Sequence, residues 1–552
     1  MKHQLFWLVL VLIFAVLFLQ AASLQLIKGA QFRQNSEQNR VKITRVPAER
    51  GVIYDREGKV LVQNSPSGRE YVLGEAASHL LGYLGEADEQ EVKAFSVSLD
   101  SLVGKLGIER AMDGILRGVD GKIVEEVDAS GEVLRKIAVY EPEKGSSVKL
   151  TIDKDLQKRV YELIEEKKGA VVVSQPDGKI LALVSSPGFE PGAFVQSPVP
   201  SPQSPVSKEK ILEAGNWKLE AGNSEKIQKI FSDPDQPMFN RAIGGLYPPG
   251  STFKIITATA GLEVGVIDED RKVEDTGEIK IGEYTYGNWY FTKYGKKEGM
   301  VDILKAIKRS NDIFFYKTGE WLGITKLSAW AKEFGLGKET GISLIGEEKG
   351  LVPDEQWKED VKKENWYLGD SYITAIGQGD LQTTPLQVNQ MTAVIANGGK
   401  LCGPSLVEEA IFPISGTVPA GKEEKCKRLP ISEKTLELVR EGMKQACEEG
   451  GTGWPLFKFK ITNDKLQIDN ENYFEDEEAT RSAQKFIRIP VACKTGTAEA
   501  SETEEPHAWF TVFAPVYDPE IVVTILLENA GEGSDEAAPV AKEILEYWFT
   551  QK

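Results

Sequence analysis

Four places in this 552-residue chain carry a serine followed three residues later by a lysine: Ser146/Lys149, Ser207/Lys210, Ser251/Lys254 and Ser482/Lys485. On a helix that spacing puts both side chains on one face, so an unprotonated amine can take the proton of a hydroxyl nucleophile. Neighbouring residues separate the four. Only Ser251 follows a chain-reversing Tyr247-Pro248-Pro249-Gly250 and opens an apolar helical run, Phe253 to Leu262. Its hydroxyl is therefore predicted at a helix N-terminus, where free backbone N–H groups stabilise a developing oxyanion. Lys-Thr-Gly occurs twice, at Lys317 and Lys494. Lys317 lies in the helical run Ile313 to Leu322 and reads as a surface lysine, whereas Lys494 lies between two strand-like runs.

Composition leaves few other chemistries. Only three histidines occur, His3, His79 and His507, too few for a zinc hydrolase or a Ser-His-Asp hydrolase without heavy reliance on His507. The formal net charge of −18 argues against broad nucleic-acid binding. An apolar content of 41% with 27% charged residues belongs to folded protein with a large core.

The elements that must position these groups follow from patterning. Leu5 to Leu19 is continuously apolar, and the run from Leu5 to Ala22 spans roughly 27 Å as a helix, close to a bilayer core. It reads as an anchor, with a cleaved signal peptide ending near Gln20-Ala21-Ala22-Ser23 as the alternative. Lys2 before the run puts the N-terminus in the cytoplasm and the remainder outside it. Cys402, Cys426, Cys447 and Cys493 are too widely spaced for a structural zinc site; in an exported chain they form up to two disulfides or remain buried thiols.

Short strands broken by turns are predicted between residues 29 and 160: Gly51 to Asp55 with Lys59 to Val62, and Lys122 to Val127 with Glu132 to Ile137 around Asp128 to Gly131. An amphipathic helix, Leu156 to Lys167, opens a second domain. A hairpin follows, Ala170 to Val173 and Ile180 to Val184. At the other end, strands Ala508 to Phe513 and Ile521 to Leu527 precede a helix capped by Ser534. Strands at both ends with helices between them indicate an α+β fold, an antiparallel sheet with helices packed on it. Ser197 to Val206, rich in Ser and Pro, reads as a loop. The acidic stretch from Asn463 to Thr480 reads as a solvated insert, with calcium binding as the lesser alternative.

Taken together the motifs resemble those of a class B penicillin-binding protein. Ser251-Thr252-Phe253-Lys254 matches the family's S-x-x-K, Ser310-Asn311-Asp312 its second motif and Lys494-Thr495-Gly496-Thr497 its K-T-G-T, in family order. Flanking stretches are similar too: Asn240-Arg241-Ala242, Ile376-Gly377-Gln378-Gly379 with Thr384-Pro385-Leu386-Gln387, and Arg50 to Arg56 with Gly58. The S-x-D form, Phe314-Phe315-Tyr316 and His507-Ala508-Trp509-Phe510 look most like the penicillin-binding protein 2 branch used in elongation.

The resemblance implies a cytoplasmic tip and transmembrane anchor over 1–28, a pedestal or dimerisation-like domain over 29–160 and a transpeptidase domain over 161–552. It implies peptidoglycan D,D-transpeptidation on stem peptides ending in D-Ala-D-Ala, inhibition by β-lactams, no cofactor or metal, and partners that include the membrane and a glycan polymerase of the SEDS family. Ser251 would be the nucleophile, Lys254 the general base, Ser310 a proton relay, and Lys494 with Thr495 and Thr497 the carboxylate holders. The backbone N–H groups of Ser251 and Thr497 would form the oxyanion hole, with Asn311 and Gly496 also lining the substrate. Asp312, the motif's departure from the commoner Asn, would raise the pKa of Lys254 if ionised beside it, or else serve as a cap. A β-lactamase or D,D-carboxypeptidase of the same fold, and a penicillin-sensing receptor, are the competing readings.

Overall fold

The apolar run forms a helix, Lys2–Ala22, continued by one wider turn, Ser23–Ile27. Its apolar side chains are exposed all round, and within His3–Gln25 it is the one helix among the described residues long and apolar enough to cross a membrane. The computed structural model describes residues 2–29, 40–66, 68–128, 130–194, 221–412, 416–419, 426–462, 474–475, 486–499 and 503–551. The Ser/Pro loop at 197–206 lies outside the described residues, as does the acidic insert except for a two-residue strand, Phe474–Glu475.

Two units pack separately, one of Met1–Gly51 with Arg117–Ser146, the other of Val52–Leu116 with Ser147–Lys552. In the first, Val41–Val46, Gly121–Val127 and Val133–Tyr140 make a three-stranded antiparallel sheet with Gly121–Val127 in the middle. The predicted hairpin around Asp128 is present. One Asp128 carboxylate oxygen accepts from Ser130 N, Ser130 Oγ and Glu132 N, and Gly131 takes φ +87° to close the turn.

In the second unit, the division by packing does not fall at residue 160. Ile53–Tyr54, Val60–Ser65 and Gly68–Tyr71, assigned from sequence to the first module, share a six-stranded sheet with Ser147–Leu150, Val407–Phe412 and Gly416–Pro419. The joining pair, Ser147–Leu150 against Val407–Phe412, links segments so distant in sequence that no local pattern betrays it. The helix predicted from Leu156 runs over Lys154–Glu162, started by Asp153, whose carboxylate accepts from Leu156 N.

The sheet that carries the site has five antiparallel strands in the order Ile180–Ser186, Gly169–Ser174, Ile521–Leu527, His507–Ala514, Ala492–Ala498. Its side chains alternate between two cores. Ala492, Trp509, Phe513, Val522 and Leu526 pack toward the helices Lys254–Val264, Asp312–Leu322 and Pro385–Ala396. Cys493, Phe510, Val512, Val523 and Ile525 face the helices Lys154–Glu162 and Ala538–Gln551 on the other side. With both faces covered, these strands read as continuous apolar runs rather than as alternating ones. The last helix does not begin on Ser534, which bonds to Asp535 instead; a wide turn, Gly533–Ala537, leads into it after Glu532.

The four cysteines pair as Cys402–Cys426 and Cys447–Cys493. The second bond ties the end of the helix Glu433–Ala446 to the strand that carries Lys494.

Candidate active site

The turn that carries Ser251 is held from two sides. Ser251 sits in a 3-10 turn, Gly250–Phe253, that runs straight into the helix Lys254–Val264. Gly250 adopts φ +54°, and its N–H bonds to the Gly377 carbonyl. A Cβ at Gly250 would stand 2.8 Å from the Thr497 carbonyl oxygen and 3.3 Å from the Thr497 nitrogen, so glycine is what lets the turn lie against the edge strand. From that strand's neighbour, Trp509 Nε1 donates to the Pro248 carbonyl at 3.0 Å. Gln378, in the Ile376-Gly377-Gln378-Gly379 stretch, donates to the Thr497 carbonyl at 3.1 Å.

Three motifs meet here. The Lys254 ammonium donates to Asp312 Oδ1 at 2.6 Å, to the Ser310 carbonyl at 2.8 Å and to Ser310 Oγ at 3.3 Å. From the opposite side Lys494 Nζ donates to Ser310 Oγ at 2.9 Å and to the Thr495 carbonyl at 2.9 Å. The Ser310 hydroxyl thus lies between two lysines that are both 0% exposed. Ser310 reaches this position by ending the helix Ile303–Arg309 in the left-handed region, φ +52°, a conformation a non-glycine residue adopts only when its surroundings require it.

The electrostatics answer the question raised by Asp312. Burial lowers the pKa of Lys254, and this outweighs the opposing attraction of Asp312, so the net shift is downward. Lys494 is pushed well below its ordinary value, first by burial and then by the charge of Lys254, with Asp312 again opposing. Asp312 itself uses both carboxylate oxygens, one on Lys254 and the other on the backbone N–H of Trp289 at 2.8 Å. An asparagine here would turn an NH2 toward one of two donors, which is a physical reason for the third motif residue being Asp in this chain.

The helix cap is Asn311 rather than Asp312: its Oδ1 accepts from Phe314 N at 2.9 Å and its Nδ2 donates to Asp275 at 3.1 Å, so both polar ends of this buried side chain are taken by the protein. Lys494 is completely buried, with its Nζ on Ser310 Oγ. Thr495 Oγ1 bonds to Thr452 Oγ1 at 2.8 Å. At Gly496 a Cβ would come within 3.0 Å of Thr252 and 2.8 Å of the Trp509 Cβ, so only glycine fits there. Lys317, as predicted, is a half-exposed helix lysine, paired with Glu320.

Sequence reasoning missed Asp275, Asn288, Trp289, Lys293 and Glu532. Thr497 Oγ1 donates to Glu532 at 2.8 Å, and Lys293 pairs with the other oxygen of Glu532 at 3.1 Å. None of the five has a spacing relation to the motifs. They arrive through the loop after Ile521–Leu527 and the segment between Val273 and Tyr294.

Comparison with known proteins gives the family. The penicillin binding protein transpeptidase domain matches residues 168–546. The chain belongs to the penicillin-binding protein transpeptidase family. The penicillin-binding protein dimerisation domain matches residues 66–150, which makes it a class B member. It is similar to the peptidoglycan D,D-transpeptidase MrdA of Haemophilus influenzae, at 29% identity over 98% of this chain and 90% of that protein. Two solved structures are also similar. One is the complex between PBP2 and MreC from Helicobacter pylori, with TM-score 0.71, 26% identity, and 92% and 98% of the two chains covered. The other, described as the structural coordination of polymerization and crosslinking by a peptidoglycan synthase complex, has TM-score 0.73, 26% identity, and 99% and 98% covered. Within class B these likenesses put the chain in the penicillin-binding protein 2 branch.

Proposed function

We propose that this penicillin-binding protein is a membrane-anchored serine D,D-transpeptidase that cross-links peptidoglycan during cell elongation. The observation that carries the mechanism is the Ser310 hydroxyl held between the buried amines of Lys494 and of Lys254, the latter one turn along the chain from Ser251. Three hydrogen bonds use all three N–H groups of a protonated Lys254. Losing one proton leaves two N–H groups and a lone pair, and the longest bond, to Ser310 Oγ at 3.3 Å, is the one to give up because Lys494 still holds that hydroxyl. The lone pair then takes the Ser251 proton as Oγ bonds to the carbonyl carbon between the two D-alanines.

The negative charge that develops on the carbonyl oxygen meets the N–H groups of Ser251 and Thr497. Collapse of this intermediate breaks the C–N bond, and the departing D-alanine amine receives its proton from Lys254 by way of Ser310. An amine of a second stem peptide attacks the acyl-enzyme, gives its proton to Lys254 and restores the Ser251 hydroxyl. With water as acceptor the same steps amount to D,D-carboxypeptidase activity. β-Lactams, which mimic the D-Ala-D-Ala end, acylate Ser251 and stay attached.

Export of the catalytic unit is supported by its two disulfides, which belong in an oxidising compartment, and by the apolar N-terminal helix. The N-terminus is then cytoplasmic. Likeness to a PBP2 found with MreC and to a peptidoglycan synthase complex supports partners in an elongation assembly, among them a SEDS-family glycan polymerase.

Detergent-solubilised full chain is expected to be labelled by a fluorescent penicillin, with the added mass on the peptide containing Ser251, and Ser251→Ala to be unlabelled. Labelling that persists in Ser251→Ala, or rapid release of hydrolysed penicillin by the wild type, would refute the reading.

A further inference from the structure

Behind the second motif lies a buried carboxylate with no cationic partner among the described ion pairs. Asp275 is 2% exposed and accepts four hydrogen bonds: Gly277 N at 2.8 Å on one oxygen, and Asn288 Nδ2 at 2.9 Å, Glu298 N at 2.8 Å and Asn311 Nδ2 at 3.1 Å on the other. A buried carboxylate is costly unless its lone pairs are filled, and here neutral donors fill them. The cost has a geometric return. By accepting from the two amide nitrogens, Asp275 fixes which way both asparagines face, so that their oxygens meet backbone donors of the motif helix.

Those donors lead to the base. Asn288, 0% exposed, accepts from Asp312 N at 3.1 Å, and Asn311 accepts from Phe314 N at 2.9 Å. The residue after Asn288, Trp289, donates its N–H to Asp312 Oδ2 at 2.8 Å, and its indole N–H bonds to the Arg309 carbonyl at 2.9 Å. Asp312 is thereby held at its backbone nitrogen and at one carboxylate oxygen, leaving the other for Lys254 at 2.6 Å. Every link from Asp275 to Lys254 is a hydrogen bond within the second unit.

We infer that Asp275, acting through Asn288 and Asn311, is a positioning residue that aims the Asp312 carboxylate at Lys254 and so sets the geometry of the base. This rests on the assignment of Lys254 as base to Ser251. The role differs from ordinary core support because it has a defined electrostatic consequence. The charged groups facing Lys254 are Asp312 and Lys494, with the Phe315 ring 5.5 Å away. Asp312 raises the affinity of Lys254 for a proton, so loosening Asp312 lets it fall further.

The test is the second-order rate of acylation by a chromogenic cephalosporin across pH 5 to 10, on detergent-solubilised full chain. Variants are Asp275→Ala, Asn288→Ala, Asp312→Asn, and each of the first two combined with Asp312→Asn. For Asp275→Ala the plateau is expected to fall roughly 10- to 100-fold, the scale of a small misplacement of a catalytic group, and the acidic limb to move to lower pH. Asn288→Ala should move the limb the same way, and it carries the test alone if Asp275→Ala does not fold. In the Asp312→Asn background both effects should shrink, because a group acting through Asp312 has nothing left to aim. A limb that does not move in the single variants, or losses that simply add to that of Asp312→Asn, overturns the proposal while leaving the functional reading intact. Failure of the wild type to acylate at Ser251 overturns that reading and this proposal together.

Discussion

Replacing Gly250 by alanine adds one methyl group where the Ser251 turn lies against the Thr497 strand. A Cβ at that position would lie 2.8 Å from the Thr497 carbonyl oxygen, 3.1 Å from its carbonyl carbon and 3.3 Å from its nitrogen, where ordinary van der Waals contact begins at 3.4 Å. The two segments must therefore separate by about 3.4 − 2.8 = 0.6 Å. Neither yields easily. Trp509 pins the Pro248 carbonyl, and the Gly250 N–H is bonded to Gly377. Alanine at φ +54° adds a backbone cost on the order of 1 kcal/mol.

The widened gap lies between Ser251 and the Thr497 N–H, the two groups that converge on one carbonyl in the proposed mechanism. Since a misplacement of about 1 Å costs roughly 100-fold, acylation in Gly250→Ala is expected to slow by roughly 10- to 100-fold. Stopped-flow acylation with a chromogenic cephalosporin measures this, and thermal unfolding of the same preparation reports the backbone cost as a fall of only a few degrees, on the order of 2 to 4 °C per kcal/mol for large domains. Acylation at the wild-type rate, with the expected fall in Tm, would show that the turn and the edge strand do not act as one oxyanion site.

Glu532→Gln removes a negative charge beside Thr497 and breaks the pair with Lys293, whose pKa is raised chiefly by its hydrogen bond to Glu532. Because the pair is partly exposed, the apparent dissociation constant for an anionic penicillin should fall only about 2- to 5-fold, and an unchanged concentration dependence would remove Glu532 from the substrate's path. Buried His79, its ring bonded to the Pro237 carbonyl, has a pKa lowered by burial from 6.5 to about 4. The unfolded chain binds this proton first, so stability from this group is complete above pH 6.5, declines by about 3 kcal/mol down to pH 4 and is flat below. Denaturant titrations of wild type and His79→Gln across that window should differ in slope. Removing the Cys447–Cys493 bond, which closes 46 residues, should cost up to about 4 kcal/mol of stability. Acylation should also slow, because Cys493 precedes Lys494; equal Tm values with and without reductant would contradict this.

Local sequence was enough for the parts of this protein that are made locally. A continuous apolar run can only be satisfied as a helix in lipid or a buried core, so the long N-terminal helix was legible at Leu5 to Leu19. The turn around Asp128 and the start of the helix at Asp153 were readable because a short acidic side chain bonds to backbone two to four residues away. Ser251, Lys254, Ser310 and Lys494 stood out because each sits in a short motif whose residue types suit one reaction. What the sequence could not contain is the identity of neighbours brought together across long separations. The pairing of Ser147–Leu150 with Val407–Phe412 ties residues on either side of position 160 into one sheet. Packing turned Asn311 onto Asp275 and enclosed Lys494. The same packing brought Asp275, Asn288 and Trp289 up behind Asp312. Burial decided the direction of the Lys254 shift as well: beside a carboxylate a lysine in water would hold its proton more tightly, and only the loss of solvent around Lys254 reverses the sign. Desolvation depends on everything that surrounds an atom, which is fixed only when the whole chain has folded.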